Sequence, residues 1–182
     1  MRIFEIIAAY LRGIIIWVKL NLLYKKCRSP LFLRVGRNCR IRVRKDSSII
    51  IGNKVVIGDG VKISALNGGN IYIGDNVGIG DYDQIVCHES INVDNGCNLA
   101  PQVYMFDHDH VMKSEGVVRN QFITKSISIG QNTWIGVNTT ILKGSQIGKN
   151  CVVAAGSIVR GKVDNGTKYI QKRSTTMEAI PF

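Results

Sequence analysis

Apolar residues return every six positions along most of this chain: Ile51, Ile57 and Ile63, then Ile73, Ile79 and Ile85, then Val93, Leu99 and Met105. After a gap the series resumes with Ile129, Ile135, Ile141, Ile147, Val153 and Val159, while Val35 and Ile41 form a partial first turn. Corner-forming residues follow many of them, as in Ile73-Gly74-Asp75-Asn76 and Ile147-Gly148-Lys149-Asn150; glycine and asparagine tolerate the backbone of tight corners. Amphipathic hairpins would alternate every two residues instead. Six residues per side and about three sides per turn predict an all-β solenoid, with one aliphatic side chain per side pointing inward onto its equivalents in the next coil. The position two residues before many of these aliphatics is slim: Val55, Val61, Val77, Cys97, Val103, Thr133, Thr139, Ser145, Cys151 and Ser157. Asp83 is the only charged occupant of that slot, which predicts either a local distortion or a functional carboxylate.

Ahead of the repeats, residues 2 to about 24 follow a helical period. Ile3, Ile7, Tyr10, Ile14, Trp17 and Val18 fall near one face, and Arg2, Glu5, Arg12, Lys19 and Lys26 gather on another. Ser29-Pro30 ends the pattern. The chain therefore divides into an N-terminal amphipathic basic helix (1–30), the solenoid (31–165) and a tail (166–182). Charge sharpens the picture: residues 1 to 45 hold twelve Lys/Arg against the single acid Glu5, whereas residues 46 to 182 hold twelve of each sign. So local an excess favours an anionic surface. Residues 1–28 either lie in the interface of an anionic membrane or cover the end of the solenoid behind them. Arg12 and Lys19 interrupt the apolar run, which argues against a signal peptide and a spanning helix. Nucleic acid is not expected as a partner, because no recognition helix, zinc finger or aromatic platform accompanies the basic residues. Five cysteines without a C-x-x-C pair argue against a disulfide framework and a zinc knuckle and point to a reduced, cytosolic setting. Cys39, Cys97 and Cys151 occupy the inward slot and read as core thiols.

Between Met105 and Ile129 the corner residues vanish, and Val111, Val117 and Ile123 keep the spacing by chance. Residues 106–126 are expected to leave the scaffold as an excursion loop, the kind of segment that carries function. It opens with Phe106-Asp107-His108-Asp109-His110, which holds two of the three histidines. Imidazole titrates near neutral pH and suits a general base, and Asp107 or Asp109 could fix its tautomer. His88 falls onto His108 under the twenty-residue offset between neighbouring coils, so these two are expected to stack on one edge.

The hexapeptide pattern over about residues 35 to 160 resembles the hexapeptide-repeat acyltransferases, a resemblance that implies a left-handed parallel β-helix. Leu99-Ala100-Pro101 before the gap and Thr133-Trp134-Ile135-Gly136 after it are most similar to the galactoside, maltose and polysaccharide O-acetyltransferases. Matching both flanks puts His110, rather than His108, at that family's catalytic position, nine residues after Pro101 and twenty-four before Trp134. The resemblance implies acetyl-CoA as cosubstrate, a sugar hydroxyl of a cell-surface polysaccharide or its precursor as acceptor, a cytoplasmic enzyme, peripheral on the inner face of the membrane if the helix binds there, and a homotrimer with sites between subunits. It also implies Trp134 against the pantetheine arm, or alternatively in a subunit contact, and Ala155-Gly156-Ser157 beside that arm. Lys143, Arg160 and Lys162, with Lys149, Lys172 and Arg173, are its candidates for the CoA phosphates. The family's acceptor-side asparagine falls at Gly80 here, so acceptor contacts are sought in Asp81, Tyr82, Asp83 and His88; the tail also lacks the family's Gly-x-Pro turn. A carbonic-anhydrase branch of the fold uses three histidines, but the spacings here differ from its pattern, so no metal is expected. A small non-sugar acceptor such as serine or a xenobiotic, or a non-catalytic membrane-associated scaffold, are the alternatives.

Overall fold

A computed structural model describes residues 3–44 and 46–172. Short parallel strands from successive coils stack into three sheets, which form the three faces of a solenoid of about six turns. Each strand pairs with its equivalents one coil away: Val56–Ile57 lies between Arg34–Val35 and Gly78–Ile79. Pairing in register stacks equivalent side chains, so Ile63, Ile85, Met105 and Ile141 form one fully buried column. Burying each such side chain contributes about 2 kcal/mol.

The corners explain the recurring Gly-Asp and Gly-Asn pairs. Asp75 accepts the N–H of Asn53 at 2.6 Å, Asp81 that of Asp59 at 2.7 Å, and Asn95 that of Asp75 at 2.8 Å. Each carboxylate or amide thus satisfies a corner donor of the coil below that has left the strand ladder. At Gly52, under Asp75, a Cβ would collide with that carboxylate. Asn38, Asn76, Asn132, Asn138 and Asn150 take left-handed backbone at φ 55 to 57° in these corners.

The period is less uniform than the expected three six-residue sides. Paired residues lie 22 apart in the first coils, then 20, and only after the excursion 18 and 16. The extra residues lengthen strands such as Arg40–Val43 and Ser48–Ile51 and add a turn at Leu66-Asn67-Gly68-Gly69, closed by Gly69 N–H on the Leu66 carbonyl. The solenoid also runs past residue 165, since Lys168–Tyr169 pairs with Val152–Val153. Arg2, Arg173 and the remainder of the tail lie outside the described residues.

The N-terminal helix, Ile3–Val18, is prolonged by a wider turn at Lys19–Leu23. It crosses the open end of the first coil. Arg12 Nε donates to the Val35 carbonyl at 2.8 Å and Lys19 Nζ to the Ile41 carbonyl at 2.5 Å, both on edge strands. Gly13 rests directly on Leu33, where any Cβ would collide with the carbonyl oxygen. Arg12 and Lys19, on the basic face of the helix, are therefore turned onto the scaffold.

Asp83 leaves its coil undistorted, because Gln84–Cys87 pairs in register on both sides. Its carboxylate is fully enclosed and accepts N–H groups from Val103 at 2.7 Å and Gly80 at 2.9 Å. Other slot residues act as donors: Thr133 Oγ1 gives to Gly148 at 2.8 Å and Cys97 Sγ to Gly130 at 3.1 Å. Enclosure rules Asp83 out as an acceptor contact. Burial pushes its carboxyl up from 3.8 to about 7, against the pull of its two N–H donors and with a smaller push from Asp81. A folded pKa above the unfolded one means that the stability contributed by Asp83 is fully present below pH 3.8 and is lost as pH rises through 7, by about 4 kcal/mol in all. Melting curves followed by circular dichroism should accordingly show the Tm gap between the protein and Asp83→Ala narrowing as pH is raised from 4 to 8; a constant gap would assign Asp83 no such titration.

Candidate active site

The excursion is an ordered antiparallel hairpin rather than a loop: His108–Lys113 pairs with Gly116–Thr124, and the register shifts just after His110. Val111, Val117 and Ile123 belong to these arms and not to the solenoid. Phe106 still pairs with Val86 and Leu142, and Lys125 N–H closes the root on the Asp107 carbonyl at 2.9 Å.

Asp107 follows the inward column of Val43, Ala65 and Cys87. Its enclosed carboxylate accepts N–H groups from His88 at 2.9 Å and Glu89 at 2.8 Å, the Cys87 thiol at 3.2 Å, and Nδ1 of His108 at 3.2 Å. Burial alone would raise this carboxyl, but the His108 ring and the surrounding donors outweigh it and hold it below the usual range. Burial, then the Asp107 charge, push the Cys87 thiol up. Of the two aspartates proposed to support the base, Asp107 orients His108, while Asp109 pairs with Lys143 Nζ at 3.3 Å. Neither carboxylate meets the His110 ring.

The rings of His88 and His108 lie 4.0 Å apart, in line with the expected stacking on one edge. Phe122 packs against all three imidazoles, at 4.1 Å from His88, 5.3 Å from His108 and 4.9 Å from His110. The Asn67 amide donates to His88 Nδ1 at 2.9 Å, which puts the neutral ring's proton on Nε2. Burial and then His108 lower the His88 pKa, favouring the neutral ring. The carboxylate on Nδ1 of His108 leaves its Nε2 with the free lone pair. His110 is exposed, 6.4 Å from His108. Phe122 and Asn67 were missed from sequence: Phe122 lies on the returning arm, outside the repeat, and Asn67 in one of the extra corner turns.

The other candidates divide between edges. Lys143, Arg160 and Lys162 follow the histidine edge upward, with Lys162 paired to Asp164 at 2.6 Å. Asp81, Tyr82, Ala155, Gly156 and Ser157 occupy a different corner, and Trp134 sits half-exposed on the face leading into it. Lys149 marks the third corner. Ser157 is buried, its hydroxyl donating to the Ala154 carbonyl at 2.6 Å, so it cannot offer a side chain to a ligand. Tyr82 lies on Gly60, and Gly80 could not carry a side chain, since a Cβ would sit 2.5 Å from the Ala100 carbonyl carbon. Among the described residues no three His, Cys, Asp or Glu side chains converge as metal ligands.

Parallel coils, corner asparagines and a hairpin thrust from one edge define a hexapeptide-repeat transferase, and the chain belongs to that family: residues 126–161 match the bacterial transferase hexapeptide (six repeats) family, whose repeats form a left-handed β-helix. Among individual proteins, it is 34% identical over 155 residues to the putative lipopolysaccharide biosynthesis O-acetyl transferase WbbJ of Escherichia coli (strain K12), covering 77% of this chain and 79% of the relative. The fold is shared with AntD, an N-acyltransferase from Bacillus cereus solved with dTDP and 3-hydroxybutyryl-CoA (TM-score 0.61, 22% identity, 73% of this chain and 72% of that one). It is shared also with the polySia specific acetyltransferase NeuO (TM-score 0.61, 19% identity, 85% and 79%).

Removing the Asp107 carboxylate orphans two backbone donors at once, whereas the Asp109–Lys143 pair is open to solvent on its Asp109 side. Urea denaturation should therefore show Asp107→Ala losing about 3 kcal/mol and Asp109→Ala under about 1 kcal/mol.

Proposed function

We propose that this protein transfers an acetyl group from acetyl-CoA to a sugar hydroxyl of a cell-surface polysaccharide or its precursor. The observation that carries the reading is the histidine edge: two coils and a hairpin bring three imidazoles together over one buried carboxylate, at the point where the solenoid's regularity is broken. The name of the Escherichia coli relative, a lipopolysaccharide O-acetyl transferase, supports the acceptor class.

In this reading His110, at the family's catalytic position, removes the proton of the acceptor hydroxyl as the oxygen attacks the thioester carbonyl. Backbone N–H groups stabilise the tetrahedral oxyanion. Collapse breaks the C–S bond; the CoA sulfur leaves, takes the proton from the imidazolium and restores the neutral base, and the acetyl ester remains on the sugar. A homotrimer, typical of the family, would bring the Trp134 and Ala155-Gly156 edge of one protomer against the histidine edge of its neighbour and so enclose the pantetheine arm. Lys143 and Arg160, along the histidine edge, would then be candidates for the CoA phosphates. Acetyl-CoA as donor fits action in the cytoplasm.

One observation favours a second assignment of the base: His108, not His110, has a carboxylate on Nδ1. Steady-state acetyl transfer to a panel of activated sugars and oligosaccharides distinguishes the two. His110→Ala should lower kcat/KM by about a thousandfold and His108→Ala by about tenfold, with folding intact. The reverse order would assign the base to His108. Small, equal losses, or no calorimetric binding of CoA, would overturn the enzymatic reading and favour a scaffold.

A further inference from the structure

The N-terminal helix is amphipathic in the inverse sense for a covering element. Its small and cationic side, Ala9, Gly13, Arg12 and Lys19, is turned onto the first coil. Leu20 is buried in the core and Ile16 packs against it, but most of the helix's large apolar side chains face outward: Phe4 is 82% exposed, Ile15 68% and Leu11 57%, and beyond them Leu22, Leu23 and Phe32 are 66 to 74% exposed. Ile7, Tyr10, Leu11, Ile14 and Phe32 also line an apolar hollow of about 420 Å³ on this face. A contiguous apolar surface of this kind marks an interaction site.

Charge identifies what it meets. Exposed Lys25, Lys26, Arg40, Arg42 and Arg44 rim the same end of the solenoid, and Glu5 is the only acid in residues 1–45. A symmetric contact with another copy would press these basic rims against one another. We propose that this end docks on an anionic lipid bilayer, with the outward face of Ile3–Leu23 lying in the headgroup–acyl boundary and the basic rim on the headgroups. Ile3–Leu23 is long and apolar enough to cross a membrane by length and composition. Crossing would strip Arg12 and Lys19 from their carbonyl partners and carry both charges into hydrocarbon, whereas docking in the interface keeps both bonds. The solenoid then stands upright on the bilayer, with the histidine edge three coils, about 14 Å, above its first turn.

The test is vesicle flotation of the full-length protein with phosphatidylcholine, alone or mixed with phosphatidylglycerol. Binding to the mixed vesicles and not to phosphatidylcholine is expected, weakened roughly tenfold or more both by Leu11→Glu with Ile15→Glu and by Arg40→Gln with Arg42→Gln, while melting temperature and turnover of soluble acceptors stay unchanged. Failure of the unaltered chain to float with anionic vesicles would overturn the proposal. So would undiminished binding by both variants, or a loss of oligomer mass in Leu11→Glu/Ile15→Glu on analytical ultracentrifugation, which would show a second copy covering the face. Because turnover is read separately, failure of the proposed acetyl transfer leaves this test unaffected.

Discussion

Everything in this molecule depends on coils that stack in register, each backbone strand bonded to the one a coil away. Register makes a residue's neighbour a matter of counting, and it turns inward positions into continuous columns with no room for an uncompensated polar group. The corners are the weak points, because there the backbone leaves the ladder. They are sealed by Asp and Asn side chains that reach from one coil to the donors of the coil below, as Asp75 does to Asn53 and Asp81 to Asp59. Asp81, sought as an acceptor contact, already holds one of these structural bonds.

That counting is why so much was legible in advance. Inward aliphatics, slim slot residues, the buried thiols of Cys97 and Cys151 and the adjacency of His88 and His108 all follow from a periodic offset, and the excursion shows itself as the place where corner residues stop. Cys39, read as a core thiol, is only half-buried. What periodicity could not reveal is the direction a side chain takes where the period ends. Asp107 can be counted as the last inward residue of its coil or the first residue of the excursion; only the packing shows that it is the former, bonded to His88, Glu89 and Cys87 as well as to His108. The helix poses the same difficulty. Its two faces are plain in the sequence, but which of them meets the scaffold was decided by two open-edge carbonyls and by the flat surface at Gly13.

Asp83 and Asp107 show how one interior produces two opposite carboxylates. Both are fully enclosed, so desolvation opposes ionisation in each. Asp83 has two backbone donors and the nearby charge of Asp81, and its pKa rises to about 7. Asp107 has backbone N–H groups, a thiol and an imidazole converging on it, and it falls below the usual range. The donors converging on each carboxylate, set against its desolvation, decide the sign.

An ionised Asp107 reaches the chemistry through His108. A negative carboxylate under Nδ1 holds the proton there and leaves Nε2 bare, while the Asn67 amide forces the opposite tautomer on the adjacent neutral His88. Two neighbouring rings thus present Nε2 from one edge in opposite states, a lone pair on His108 and an N–H on His88, and Phe122 packs against both. A solvated turn would impose neither tautomer. The scaffold supplies both, because Asp107 lies in the lumen one coil above Cys87 and Asn67 in an extra corner turn of the coil below, and each is held by the register that stacks the coils.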